Sequence, residues 1–306
     1  MLEFKCVSAE DFERYNKYRA LDVTNASEGV FITMFIWNNY YNMEYTDNGE
    51  FLFIRFNIKN KAPAYFFPIG KGNLKNAIKE LEEYSRAREE RLRFMLVTKE
   101  NAERLKEITD KQFSFTPARD TFDYVYLTEK MINLPGKKLH AKRNHLNYFF
   151  ENYEYEYVPV TDAEFLNRCA QKALEWVGNK TRNKNSFELG AMERYFEHYF
   201  RFNQKGAALT VNGEIVAMTF GEKLSEDTAL IQIELADESY RGAYQAINKL
   251  FCQNEWQQVK YVNREEDMGI EGLRRAKESY QPEFLVEKYI IEEKIKYGIF
   301  ISCRRI

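Results

Sequence analysis

Cysteine is scarce in this 306-residue chain: Cys6, Cys169, Cys252 and Cys303 stand far apart. No Cys-x-x-Cys spacing occurs, so neither a zinc site nor a redox pair is signalled. A disulfide framework and a signal peptide are both lacking, which makes the reducing cytoplasm the expected compartment. Long apolar runs are missing too. The longest candidate, Val30 to Trp37, falls far short of the ~18–20 residues that span a bilayer and reads as a core segment. A lipid-handling role would therefore be peripheral, at the inner membrane surface. An excess of charge of one sign is absent, since the net charge is −2, so any attraction to nucleic acid or membrane must come from a local patch. Histidine is limited to three residues. His140 and His145 are five apart and splay on a helix with no Cys or paired acid nearby, and no metal site is expected.

Aromatic residues are plentiful, with 21 Tyr and 24 Phe, which suits a strand-rich core. Strand-like and helix-like runs alternate without low-complexity tracts, the pattern of a mixed α/β chain. In the first half, strands are expected at Phe51–Ile58, Ala64–Ile69, Leu92–Thr98 and Tyr124–Leu127. Asn73 caps a helix whose apolar face is Leu74, Ala77, Ile78, Leu81 and Tyr84. A short helix is read at Asn101–Thr109.

One dense basic cluster follows Pro135-Gly136: Lys137, Lys138, His140, Lys142, Arg143 and His145. With Leu139, Leu146 and Phe150 at near-helical spacing, residues 137–150 read as an amphipathic linker helix. It is either a solvated face or a patch for phosphates, with Lys142 and Arg143 as the candidate contacts. The second half opens with strand Tyr153–Val160 and a helix to about Trp176. A polar loop at 178–185 and a helix near Phe187–Phe202 follow. Strands Ala207–Val211 and Ile215–Glu222 flank Asn212-Gly213, a strong hairpin signal. Strand Thr228–Leu235 comes next, with Gln232 and Glu234 expected on the face opposite Ala229, Ile231, Ile233 and Leu235. It leads through Tyr240-Arg241-Gly242-Ala243-Tyr244-Gln245-Ala246 into a helix, and a strand near Lys260–Asn263, a helix at Gly272–Tyr280 and a strand at Phe284–Ile291 close the chain.

A strand entering a helix N-terminus is a natural anion site. The spelling Arg241 to Ala246 resembles the pyrophosphate loop of the Gcn5-related N-acetyltransferases (GNAT), Arg/Gln-x-x-Gly-x-Gly/Ala, but Tyr244 stands where the central glycine belongs. The order of elements over residues 153–306 resembles the GNAT fold. A narrower resemblance rests on Lys142–Asn147, Val262–Asp267 and Gly272–Tyr280. It is to a family of uncharacterised bacterial proteins with a domain similar to the C-terminal domain of phosphatidylglycerol lysyltransferase. This resemblance implies an α/β (α+β) chain of two tandem GNAT-like domains, each a mixed, largely antiparallel sheet flanked by helices, expected at 1–133 and 134–306. Fem-type peptidyltransferases share the design. Such relatives move an amino acid from aminoacyl-tRNA to a lipid or a peptidoglycan precursor, so the implied acceptor is a lipid headgroup, a peptide or a small amine. That makes aminoacyl-tRNA the implied donor and tRNA a possible partner, with acyl-CoA as the alternative donor and a silent binding module as a further alternative.

The resemblance also implies roles. Glu234 stands where some GNAT enzymes keep a general base, and Tyr280 aligns with a tyrosine used as general acid toward the leaving group. Arg241 and Gly242 could hold a phosphate. Tyr244 cannot give the close backbone approach of glycine; its ring either stacks on a base or packs beneath the loop. Asn263, Arg264, Glu265, Glu266 and Asp267 form an acidic and polar cluster at a strand end. It either recognises an amine or pairs internally with nearby arginines and Lys277.

Overall fold

Strand-forming runs of Phe, Tyr, Ile and Val gather into two sheets with helices packed against them. The protein is described here by a computed structural model covering residues 2–22, 24–109, 112–180 and 186–294. Most of the expected polar loop at 178–185 lies outside the described residues. The first sheet runs Lys5–Cys6, Met43–Asp47, Phe51–Phe56, Ala64–Tyr65, Arg93–Thr98, Lys288–Glu293, Phe113–Pro117, with Ile69–Gly70 also paired to Phe51–Phe56. The second runs Phe284–Val286, Asp123–Leu127, Tyr261–Asn263, Thr228–Ala236, Glu214–Lys223, Lys205–Val211, Tyr155–Pro159. Each sheet is antiparallel apart from one parallel pairing, Ala64–Tyr65 with Arg93–Thr98 and Thr228–Ala236 with Tyr261–Asn263.

The two sheets trade strands. Asp123–Leu127, from the first half, lies between Phe284–Val286 and Tyr261–Asn263 in the second sheet. Lys288–Glu293, from the end of the second half, lies between Arg93–Thr98 and Phe113–Pro117 in the first. The single strand expected at Phe284–Ile291 is therefore two strands in different sheets, separated at Glu287. A cut at 133/134 would leave each sheet short of one strand.

A buried ion pair marks the crossing. The Lys288 ammonium, fully buried, donates to Asp123 Oδ1 and Glu28 Oε1, each at 2.7 Å. Asp123 also accepts from the Ser27 N–H at 2.7 Å and from Asn263 Nδ2 at 3.1 Å. A buried charge needs this density of partners to offset its desolvation.

Local signals place the rest. Asn212 and Gly213 have φ of 52° and 81°, the paired positive angles of a tight hairpin turn. Asn73 caps helix Leu74–Arg86 by accepting from the Asn76 N–H at 3.1 Å, and that helix buries the five apolar positions read from its spacing. Val30 to Ile36 is core as expected, much of it in the helix Phe31–Ile36. Helices His140–Asn152 and Ala243–Glu255 pack together on the second sheet through Leu146, Phe149, Ala246, Ile247 and Phe251. No helix among the described residues is long and apolar enough to cross a membrane.

Candidate active site

The parallel pairing of Thr228–Ala236 with Tyr261–Asn263 covers only Thr228 to Leu230. Beyond Leu230 the two strands separate, and side chains fill the opening. A β-bulge decides which ones. Phe220 pairs with Ile233 and Gly221 with Ile231, leaving Gln232 as the extra residue. Such a bulge reverses the alternation of side chains that follow it. Ala229 and Ile231 pack under the helices, whereas Ile233 and Leu235 face the core shared with the first half. Glu234 thus shares a face with Ala229 and Ile231, contrary to the expectation of strict alternation.

On that face Glu234 meets Arg264, which donates through Nη2 to both carboxylate oxygens, at 2.7 and 2.9 Å. Asn248, on helix Ala243–Glu255, donates to Glu234 Oε1 at 2.7 Å. These contacts take up part of the accepting capacity of Glu234 and hold Arg264 in place. Burial works against the Arg264 charge, and the Glu234 carboxylate more than offsets it, holding the guanidinium pKa above its ordinary value.

Tyr280 completes the group. It is 5% exposed, its ring centroid lies 4.9 Å from the Arg264 guanidinium carbon and 4.4 Å from Lys142 Nζ, and Tyr126 meets it edge-on. Burial, countered in part by Arg264, pushes the Tyr280 hydroxyl up to about 12, so it is protonated at neutral pH. Gln245 stands beside this hydroxyl, but the geometry of a hydrogen bond is not formed there. Lys142 is half-buried, and desolvation and the Arg264 charge lower its pKa. Cys252 lies in the same core, but burial pushes its thiol up to about 12, which removes it as a neutral-pH nucleophile.

The donor loop has an unexpected wall. Gly242 caps helix Ala243–Glu255 with φ 91°, and a Cβ there would come within 2.0 Å of the His145 carbonyl oxygen. Glycine is required for close packing of helix His140–Asn152 on the loop, in addition to its positive φ. Arg241 is exposed, with its guanidinium carbon 4.5 Å from the Tyr148 ring centroid. Tyr244 packs partly buried against the second-sheet core, and its carbonyl accepts from Asn248 Nδ2 at 3.2 Å.

The basic cluster divides by function. Arg143 donates to the carbonyls of Leu134 and Gly136, fastening the turn before its helix. Lys142 points into the site, and Lys137, Lys138 and His140 are exposed. The strand-end cluster is likewise structural for the most part. Buried Asp267 accepts from Tyr124 at 2.6 Å, Arg274 Nε at 2.8 Å, the Gly269 N–H at 2.9 Å and Arg119 at 3.1 Å. Burial alone would raise its pKa, but these donors, Arg274 first, hold it well below the usual carboxylate range. Lys277 Nζ caps the carbonyls of Arg264, Glu265 and Glu266. Asn263 is buried and bonds Asn25 and Asp123. Burial, with Glu266 beside it, raises the Glu265 carboxyl well above its ordinary range. No group of three or more His, Cys, Asp or Glu residues able to hold a metal ion occurs among the described residues.

The profile of the family described as "Phosphatidylglycerol lysyltransferase, C-terminal" matches residues 21–292. The chain belongs to this family. A crystal structure of a conserved protein of unknown function from Bacteroides thetaiotaomicron VPI-5482 is 34% identical, with a TM-score of 0.89, covering 96% of this chain and 100% of that one. The structure of L-PGS from Bacillus licheniformis is 18% identical, with a TM-score of 0.66, covering 94% and 93% of the two chains; at that identity the likeness concerns the fold. An uncharacterised protein of Mycoplasmoides gallisepticum (strain R(low / passage 15 / clone 2)) is 28% identical over 173 residues. That match takes in 56% of this chain and 56% of the relative, so the chain spans about half the length of the curated relative it matches. The fold, two mostly antiparallel sheets flanked by helices, is thus shared with the Bacillus licheniformis L-PGS structure.

Two participants were not legible in the sequence of this family member. Asn248 lies on a helix face that reads as packing, and only the bulge brings Glu234 to it. The first half also has a strand-to-helix turn, Gly70 to Asn73, ahead of helix Leu74–Arg86. There the Glu50 carboxylate accepts from the Asn73 N–H at 3.0 Å and lies where a Gly72 Cβ would be, 2.2 Å from that position. The anion at this helix N-terminus is the protein's own.

Proposed function

We propose that this protein transfers an aminoacyl group from aminoacyl-tRNA to an amine or hydroxyl on a lipid headgroup, a peptide or a small molecule. Family membership supports an acyltransferase. The observation that carries the chemistry is the buried Tyr280 hydroxyl, protonated at neutral pH and held between cationic side chains at the strand opening. In the reaction, the acceptor nitrogen or oxygen bonds to the ester carbon and loses its proton to water. The carbon–oxygen bond to the ribose then breaks, and the departing oxygen takes the electron pair and a proton from Tyr280. The phenol is restored from solvent. Exposed Lys137 and Lys138, with Arg241 beside the donor loop, supply the RNA-facing charge.

The glycine-to-tyrosine change at Tyr244 disfavours ordinary coenzyme A, because a side chain keeps the pyrophosphate from the backbone. Turnover of the purified protein is to be measured with a panel of aminoacyl-tRNAs and amine or hydroxyl acceptors, alongside calorimetry with acetyl-CoA. Transfer from at least one charged tRNA, without micromolar acetyl-CoA binding, is expected; tight acetyl-CoA binding with acetyl transfer would replace this reading. Tyr280→Phe should lower kcat about 100-fold with donor affinity within about twofold. Equal loss of both, or loss of folding, returns Tyr280 to the core.

A further inference from the structure

The side chains around Glu234 have more hydrogen-bonding capacity than the protein uses. Asn248 is 3% exposed and Tyr280 5%, and the Arg264 side chain is 11% exposed. Glu234 absorbs Arg264 Nη2 and Asn248 Nδ2. Arg264 Nη1, the Tyr280 hydroxyl and Asn248 Oδ1 are buried and have no hydrogen-bond partner among the described residues. Buried polar groups in folded proteins are nearly always paired, so three unpaired atoms in one shell, two of their side chains bonded to the Glu234 carboxylate and the third stacked on Arg264, call for an explanation. Lys142 Nζ sits over the Tyr280 ring, and no carboxylate lies within ion-pair distance of it among the described residues. Two cations and one anion leave this shell with one uncompensated positive charge. Three donors and one acceptor remain for a ligand.

We propose that this shell is an oxyanion subsite, completed by an anionic oxygen-bearing group of the substrate. Arg264 Nη1 and Lys142 Nζ are its charged donors, the Tyr280 hydroxyl its neutral donor until its one proton passes to the departing ribose oxygen, and Asn248 Oδ1 the acceptor for an N–H or O–H of the same ligand. Resting on the acyl-transfer reading above, the group is the carbonyl oxygen of the transferred acyl. That oxygen gains the carbonyl π pair when the acceptor bonds to carbon, and returns it when the ribose oxygen departs. Fixed donors in a water-poor shell stabilise such charge more than water does. The strand opening provides the shell, because there Glu234, paired with Thr219 on one side, has no ladder partner on the side of Tyr261–Asn263.

Inorganic phosphate serves as the probe, a tetrahedral oxyanion that needs no knowledge of the substrate. Titration calorimetry on the full chain should show one phosphate per molecule. Lys142→Gln and Tyr280→Phe should each weaken it about tenfold, the scale of a hydrogen bond to a charged group; Lys79→Gln, on an exposed helix face, should not. Arg264→Lys keeps a cation for Glu234 and removes the second nitrogen, and is expected to weaken phosphate similarly. Should that variant fail to fold, Lys142→Gln, which frees no buried carboxylate, carries the test. Absence of phosphate binding, or binding unchanged in Lys142→Gln and Tyr280→Phe, overturns the subsite. Phosphate binding that these changes weaken, in a protein inactive with every aminoacyl-tRNA and acyl-CoA tested, leaves the subsite standing and overturns the acyl-transfer reading. Transfer whose kcat is unchanged in Lys142→Gln overturns the subsite alone.

Discussion

Single residues in this molecule are tuned by what surrounds them, and Glu222 shows it outside the proposed site. It is buried, accepts from Gln232 Nε2 at 3.2 Å, and has no carboxylate-pairing cation within ion-pair distance among the described residues. Burial pushes its pKa up to about 7, with Gln204 and Arg19 only partly opposing the shift. The folded protein therefore holds this proton more tightly than the unfolded chain, whose glutamate titrates near ~4.3. The stability so gained is fully present below that unfolded value and is lost as pH rises through about 7. Glu222→Gln should flatten this dependence: equal to the parent near pH ~4, and more stable by on the order of 2 kcal/mol near pH ~8. Urea unfolding at several pH values reads the difference. Parallel curves for the two proteins would place Glu222 at its ordinary pKa.

Elements show where sequence reading succeeds and where it stops. Asn73, Asn212-Gly213 and the apolar face of Leu74 to Tyr84 act through neighbours only a few residues away, so a local pattern is sufficient to find them. Strand Thr228–Ala236 is also legible as a strand, yet the bulge at Gln232 depends on the partner strand, and with it the face on which Glu234 stands. Tyr280 and Glu234 could be named because of a family likeness; their meeting with Asn248 and Arg264 could not, since the four residues lie in or beside four separate elements. Arg143 marks another limit, because a basic side chain looks the same in sequence whether it faces RNA or two carbonyls. Deleting Gln232 tests the bulge. Without the extra residue Ile233 follows Ile231 directly, so ordinary alternation keeps Glu234 on the face of Ala229 and Ile231, beside Arg264, while the contacts of Gln232 with Thr33 and Glu222 are lost. Such a variant should melt earlier and keep the Glu234–Arg264 pair and its turnover, as should Gln232→Ala. Loss of turnover in a folded deletion variant would mean that Glu234 reaches Arg264 only through the bulge.

At the scale of the whole molecule, the exchanged strands make the two sheets depend on each other. Strand Lys288–Glu293 pairs on both sides within the first sheet, with Arg93–Thr98 and with Phe113–Pro117. A fragment of residues 1–133 would lack it, and would expose two unpaired strand edges in the middle of a sheet. It would also leave Asp123 without Lys288, an uncompensated charge in an interior position. A fragment of residues 134–306 would lack Asp123–Leu127, on which both Tyr261–Asn263 and Phe284–Val286 pair. Arg264 follows the first of those strands and Tyr280 precedes the second, so the site itself depends on a strand from the first half. Each fragment alone is therefore expected to show poorly dispersed amide resonances and no cooperative melt, while the two produced together should assemble and regain whatever activity the full chain has. A sigmoidal melt and dispersed spectrum from 134–306 alone would show that the borrowed strand is dispensable. The same outcome would detach the shell around Glu234 from the first half and leave the exchange without a functional reason.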